Sequence, residues 1–258
     1  MMRTEQARPI RLEDYRPPDW RVETVELDVS LHQNATKVRA ILKMSPNSEA
    51  AAPAPIVLDG DGLTLTSLKL DGSELHPDAY VATADSLTIA QPPAGTCYLQ
   101  IETLLDPSAN TQLMGLYRSS GTYCTQCEAE GFRRITYFPD RPDVMAVYTT
   151  RIEAEKNEAP ILLSNGNLVS AGDIAGTMRH FAVWHDPFPK PSYLLRLSPA
   201  TSPASRTISS RCRDATSCCA SMWSRASRIV VPGRWTRSSA ACAGTRRRSD
   251  ANTISTSS

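Results

Sequence analysis

Val25-Glu26-Leu27-Asp28-Val29-Ser30-Leu31 alternates apolar and polar residues without a break. Successive side chains of a strand point to opposite faces, so this run has one face for a core and one for water. Val38, Ala40, Leu42 and Met44 repeat the pattern a few residues later. The stretch from Ser45 to Pro55 is rich in Pro, Ala and Asn and reads as a loop. Ile56-Val57-Leu58 then meets Asp59-Gly60-Asp61-Gly62, a strong turn signal, and Leu63, Leu65 and Leu68 to Leu70 follow. Asp71-Gly72 is the dipeptide of a type I′ hairpin turn. Tyr80 to Ala82, Ser86 to Ile89, Cys97 to Leu104, Val147 to Ala154 and Arg179 to Trp184 read as further strands. Pro160 to Leu163 is a short apolar run ending in the turn Ser164-Asn165-Gly166-Asn167. No segment before Leu195 carries a long helical stripe, and no repeat of fixed period is present. Many short strands separated by Gly, Asn and Asp turns predict an all-β fold. The expected architecture is a β-sandwich or saddle of mostly antiparallel strands over residues 1–195.

After Leu195 the character changes. Residues 196–258 hold eleven Arg, no Lys and two acids, Asp214 and Asp250, a net charge of +9. Subtracted from the 28 basic and 27 acidic residues of the whole chain, this leaves 17 basic and 25 acidic residues before it, a net of −8. Ser, Thr, Arg, Ala and Cys dominate the end, and neither period two nor period 3.6 survives. A disordered basic tail is one reading. A shifted reading frame is the other, and codon logic favours it. Most amino acids fix two bases of their codon, so the middle base of each shifted codon is largely forced. Met222-Trp223 and Trp235-Thr236 leave no choice and yield Val and Asp in the alternative frame. The recovered pattern alternates as strands, then as a helix, then as a strand. A one-base loss near Leu195 and an out-of-frame stop after Ser258 are therefore expected, with residues 196–258 disordered.

The amino terminus shows no signal-peptide pattern, and no apolar run approaches the length that spans a bilayer. Seven Cys at irregular spacing argue against a disulfide framework. A cytoplasmic setting is the expectation. Arg246-Arg247-Arg248 has no interleaved aromatics, so nucleic-acid binding is not expected.

The stretch from Gly115 to Val144 is dense in polar, aromatic and charged residues that fit no simple strand or helix period. Within it, Thr125-Gln126-Cys127-Glu128-Ala129-Glu130-Gly131-Phe132-Arg133 and Asp140-Arg141-Pro142-Asp143-Val144 resemble blocks of the bacterial aminopeptidase N family, the zinc-dependent M1 metallopeptidases. Tyr15 to Asp19, Leu162 to Asn167 and Trp184 to Pro191 resemble further blocks in the same order. The resemblance implies a β-rich saddle that forms one wall of an active site facing peptides with a free amino terminus. It implies that Gln126 and Glu128 contact substrate, with Glu128 pairing with the α-ammonium. A carboxylate in a partly desolvated pocket pairs strongly with an ammonium and rejects peptides lacking one. It implies zinc as cofactor of the full-length enzyme and a catalytic domain following in the same chain.

The zinc motif of that family is absent from this sequence. The four histidines are His32, His76, His180 and His185; none is followed by Glu and no pair has i, i+4 spacing. The Gly-x-Met-Glu-Asn motif that would complete the ammonium clamp is also absent. No metal ligand and no catalytic residue is therefore expected here, and the chain alone is expected to be inactive. Cys124 and Cys127 form a C-x-x-C without the second pair of a zinc ribbon, and read as buried or half-buried thiols. Asp140 to Asp143 reads as a turn held by an Arg–Asp pair, and Trp184 and His185 as core and rim. Two rivals remain. One is a non-catalytic β-sandwich binding module with a basic interaction tail. The other is a small metalloenzyme using His180, His185 and Cys124 or Cys127.

Overall fold

The computed structural model describes residues 12–47 and 54–199. Its strands are β1 (Trp20–Ser30), β2 (Thr36–Pro46), β3 (Ile56–Asp59), β4 (Thr64–Leu70), β5 (Ser73–Glu74), β6 (Tyr80–Ala82), β7 (Ser86–Ile89), β8 (Cys97–Leu105), β9 (Gly115–Ser119), β10 (Thr122–Gln126), β11 (Met145–Glu155), β12 (Asn167–Asp173) and β13 (Arg179–Pro191). Eight of them form one sheet in the order β12-β13-β11-β1-β2-β8-β4-β5. A three-stranded sheet runs β3-β7-β6, and β9 and β10 form a hairpin. Among the described residues the only helical segments are single 3-10 turns. The described residues are all-β, as the alternation predicts.

The alternating runs fill one core. Val25, Leu27, Val29 and Leu31 are buried with Val38, Ala40, Leu42 and Met44, and with Leu99 and Ile101 of β8. Ile56, Leu58, Leu87 and Ile89 of the smaller sheet join the same cluster. Each buried Val, Leu, Ile or Met side chain contributes about 1.5–3 kcal/mol by leaving water. The opposite face carries charge. Asp28 bridges Arg39 and Arg151 at 3.0 and 2.8 Å, and Glu153 bridges Arg151 and Arg179 at 2.9 and 2.7 Å. These pairs cross β2, β1, β11 and β13 and fix their register on the wet side.

Asp71 and Gly72 both have positive φ, +50° and +81°, which is the type I′ geometry their dipeptide implies. Ser120 and Gly121 repeat it at +49° and +80° between β9 and β10. Among the described strands every pairing is antiparallel except β1 with β11, which run parallel from Thr24↔Val147 to Ser30↔Glu153.

The structure departs from the sequence reading in several places. β2 continues to Pro46, inside the stretch read as a loop. The β9–β10 hairpin and β12 were not anticipated. β13 runs on to Pro191 through Pro187 and Pro189. β12 pairs β13 only as far as His185, so the missing N–H groups of these prolines, which fall on alternate residues, can all face an open edge. Ile161 and Leu162, in the short apolar run before Ser164, are buried within a connection. Packing also continues beyond Leu195. Leu197 is fully buried and bridges Ser164, and Ser198 N donates to Leu163 O at 2.9 Å. The shifted-frame, disordered-tail reading covers residues 196–258, of which 200–258 lie outside the described residues.

Candidate functional site

The connection between β10 and β11 carries both candidate contact residues. Gln126 is the last residue of β10 and pairs with Gly115 of β9. Cys127 then turns inward and is buried, while Glu128, Ala129 and Glu130 are exposed. Gly131 N donates to Cys127 O at 2.8 Å and closes the turn. A 3-10 turn, Phe132–Arg134, follows at once. Phe132 is fully buried, edge-on to Phe138 at 5.0 Å and to Tyr148 at 6.3 Å, so the turn is anchored in the core.

The structure brings Gln126 and Glu128 together on this turn. Gln126 Nε2 donates to Glu128 O at 3.2 Å. The Glu128–Ala129 peptide bond is cis. Among the described residues nothing pairs with the Glu128 carboxylate. Such a group can accept several hydrogen bonds from a cation brought to it.

Gly131 is forced by space rather than by backbone angle. Its φ is −88°, open to any residue. A Cβ there would meet Gln126 O, Cys127 Cα at 2.9 Å and Gly115 N at 3.1 Å, all of them backbone. Gly115 answers from the other side: at φ +70°, a Cβ on it would press Arg134 Cβ at 2.7 Å. The two glycines let the hairpin and the turn lie directly against each other.

Further contacts fix the surroundings. Arg134 Nη1 donates to Asp61 Oδ2 at 2.9 Å and also to Gln112 Oε1. Thr125 Oγ1 accepts from Leu197 N at 2.9 Å and donates to Leu197 O at 3.2 Å, tying β10 to the segment after β13. Arg141 makes the expected pair with Asp143, Nε to Oδ1 at 2.9 Å and Nη2 to Oδ2 at 2.6 Å. Burial raises the Asp143 carboxyl, but the hydrogen bonds from Arg141 prevail and hold it below the ordinary range.

Asp140 differs from its neighbours in that turn. It is 2% exposed and accepts from Arg133 N at 3.1 Å, Arg133 Nε at 3.3 Å and Ser192 Oγ at 2.5 Å. The sequence reading missed this hub. One signal was available: Asp140 ends the run Ile135-Thr136-Tyr137-Phe138-Pro139, every residue of which is buried.

The thiols behave as expected. Cys127 is buried and Cys124 half-buried, and burial pushes the Cys127 thiol up to about 12. The histidines are spent elsewhere. His180 Nε2 lies 2.7 Å from Ala159 O, and His185 Nδ1 lies 3.0 Å from Thr149 Oγ1. Trp184 is buried and its Nε1 donates to Leu162 O at 3.1 Å. Among the described residues no three His, Cys, Asp or Glu side chains converge as metal ligands. The described residues do not fit a zinc ion.

An eight-stranded sheet, a three-stranded sheet and a β-hairpin, with one parallel pair, make up the β-rich domain of a peptidase of the M1 class. The chain belongs to that family: residues 19–194 match the Peptidase M1 N-terminal domain. It is 50% identical over 196 residues to aminopeptidase N of Caulobacter vibrioides, a match covering 76% of this chain and 22% of the relative. It is 41% identical over 194 residues to aminopeptidase N of Escherichia coli, covering 75% of this chain and 22% of that protein. Among solved structures, Legionella pneumophila aminopeptidase A in complex with aspartic acid superposes with a TM-score of 0.69 at 37% identity, over 73% of this chain and 22% of that one. The M1 zinc metallopeptidase from Deinococcus radiodurans shares the fold, with a TM-score of 0.60 at 19% identity over 70% of this chain and 42% of that one. The chain thus spans about a fifth of the length of the aminopeptidase N relatives it matches.

Proposed function

We propose that this chain supplies the substrate-amine wall of an aminopeptidase that removes amino-terminal residues from peptides, and that it does not hydrolyse peptides alone. Glu128 pairs with the substrate α-ammonium and Gln126 lies against the same end of the peptide. One observation carries this reading: the Glu128 carboxylate is exposed, unpaired among the described residues, and set on a turn fixed on both flanks. Desolvated on both sides by a facing domain, such a carboxylate would favour an ammonium and select exopeptidase substrates. The zinc that activates water in the family would be held outside the residues described here; no sequence motif in this chain provides for it. We further propose that residues 196–258 read largely out of frame, and that the protein works in the cytoplasm, in keeping with the unpaired thiols of Cys97, Cys124 and Cys127.

The test is a graft. Residues 19–194 of this chain replace the matched region of the intact Caulobacter relative, and hydrolysis of an aminoacyl-arylamide is followed. The graft should be active, the 258-residue chain alone inactive. Glu128→Gln in the graft should raise KM about ten- to a hundredfold, the loss of one charged hydrogen-bond pair. An unchanged KM refutes the role of Glu128. Turnover by the isolated chain refutes its inactivity, and DNA reading one continuous frame across the Leu195 codon refutes the shift.

A further inference from the structure

Among the described residues Asp140 is the only carboxylate in the buried class. Burying a charge is costly, and a buried ion pair is a poor source of net stability compared with apolar side chains of the same volume. What such a group supplies here is position, because each of its oxygens has a specified donor. Oδ2 accepts from Arg133 N at 3.1 Å and Arg133 Nε at 3.3 Å. Oδ1 accepts from Ser192 Oγ at 2.5 Å. The main chain of Asp140 is held as well, its N donating to Asp59 Oδ2 at 3.1 Å and its O accepting from Arg133 Nη2 at 3.1 Å.

The two ends of this arrangement matter. Arg133 lies in the 3-10 turn that begins directly after the Glu128 turn, and its Nη2 also approaches Glu130 Oε2 at 3.3 Å. Ser192 begins the 3-10 turn Ser192–Leu194 at the end of β13, where the match to the M1 domain stops. One carboxylate therefore joins the candidate contact loop to the segment by which the chain leaves the matched domain.

We infer that Asp140 is a positioning residue for substrate-amine binding: it clamps the Glu128 turn, through Arg133, to Ser192, and so sets where Glu128 stands relative to whatever follows the β domain. This rests on the reading of Glu128 given above. β10 fixes the near side of the turn through Gln126↔Gly115, and Asp140 fixes the far side. With the far side released, Glu128 keeps its chemistry and loses its place.

The experiment has two arms. In the first, the whole 258-residue chain and its Asp140→Asn variant are compared by hydrogen–deuterium exchange. Asn keeps the shape but loses the charge, and its single oxygen can accept from Arg133 or from Ser192 but not from both. Exchange over residues 127–134 should rise about ten- to a hundredfold, as loss of a charged hydrogen bond requires, with β1, β2 and β8 unchanged. A uniform rise across the sheet, or none over 127–134, overturns the clamp. Should Asp140→Asn fail to fold, Ser192→Ala removes the Oδ1 donor alone and should raise exchange over the same residues by a smaller factor; no rise overturns the clamp equally. In the second arm the Caulobacter graft carries Asp140→Asn. KM should rise about tenfold with a smaller fall in kcat, as when ground-state binding is misplaced. If Glu128→Gln raises KM and Asp140→Asn does not, the positioning role fails. If Glu128→Gln leaves KM unchanged, the reading of Glu128 fails, and with it the purpose assigned to the clamp, while exchange still reports whether the clamp exists.

Discussion

Replacing Gly131 with alanine tests whether the Glu128 turn is fixed by backbone packing. The added Cβ meets Cys127 Cα at 2.9 Å, Gly115 N at 3.1 Å and the carbonyl oxygen of Gln126. None of these is the end of a flexible side chain, so relief requires moving β10 or the hairpin. Overpacking of this kind costs about 1–3 kcal/mol. Alanine also restricts the unfolded chain, which returns about 0.4–1 kcal/mol. The net loss should be about 1–2 kcal/mol. With an m-value of about 2 kcal/mol/M, the urea midpoint should fall by roughly 0.5–1 M. Gly121 provides the contrast, since its φ is +80° and a Cβ there meets nothing within 4 Å. Gly121→Ala should lose about 1 kcal/mol from left-handed backbone alone. Asparagine separates the two causes: it tolerates positive φ, so Gly121→Asn should recover most of the loss, and Gly131→Asn should recover none. Gly166 combines both problems, with φ +85° and Asp186 Cα at 2.6 Å, and its alanine variant should be the least stable of the series. The measurement is urea unfolding of the whole chain followed by far-UV circular dichroism. A Gly131→Ala midpoint at or above that of the parent would show that Gln126 and Cys127 yield freely, and the argument for a fixed turn would fail.

Two further outcomes follow from the ionisable groups. Glu153 is partly buried, which would raise its pKa, but hydrogen bonds from Arg179 and Arg151 outweigh this and hold it below its ordinary 4.5. A depressed carboxylate lends stability above its unfolded pKa and loses it as pH falls through the folded one. Stability should therefore decline as pH drops below 4.5, and Glu153→Gln should flatten that decline; an unchanged acid limb in thermal melts counts against the ladder. Thiolate is the reactive form of cysteine, and burial pushes the Cys97 and Cys127 thiols up to about 11 and about 12. Under iodoacetamide at mildly alkaline pH, peptide mapping should find both unmodified until urea unfolds the chain, and half-buried Cys124 modified earlier. Equal labelling of Cys124 and Cys127 in the folded chain would contradict the packing of the turn.

What the sequence disclosed follows from how each strand meets water. β1, β2 and β8 bury one face and expose the other, so their period of two is plain in the text. β12 is exposed along nearly all of its length and has no core face to write as a pattern. β9 and β10 bury irregular sets of residues, so no alternation marks them. Gln126 and Glu128 came from a matched block of residues and not from any periodicity. Asp140 was read only as part of a turn held by an Arg–Asp pair, and Arg141 and Asp143 do form that pair. Its burial depends on Ser192, far along the chain, and no local pattern reports that.

The parallel pair explains why the candidate site lies where it does. β8 is antiparallel to β2, β2 is antiparallel to β1, and β1 is parallel to β11. β8 and β11 therefore point the same way, with β2 and β1 between them. The chain must climb back along the strands, on the order of 30 Å, and step past two neighbours before β11 can begin. A crossover of about a dozen residues suffices for that. The connection over residues 106–144 is far longer, and its surplus is the hairpin, the Glu128 turn, the anchoring Phe132 and the Asp140 hub. Topology demands an excursion off the sheet at this point, and the excess length of the excursion builds a braced surface. It is tied to the segment that follows β13, β10 through Thr125 to Leu197 and the 3-10 turn through Asp140 to Ser192. A turn so tethered can hold a carboxylate in one place without a strand or helix of its own beneath it. That is the physical requirement for discriminating a substrate by the position of a single charge.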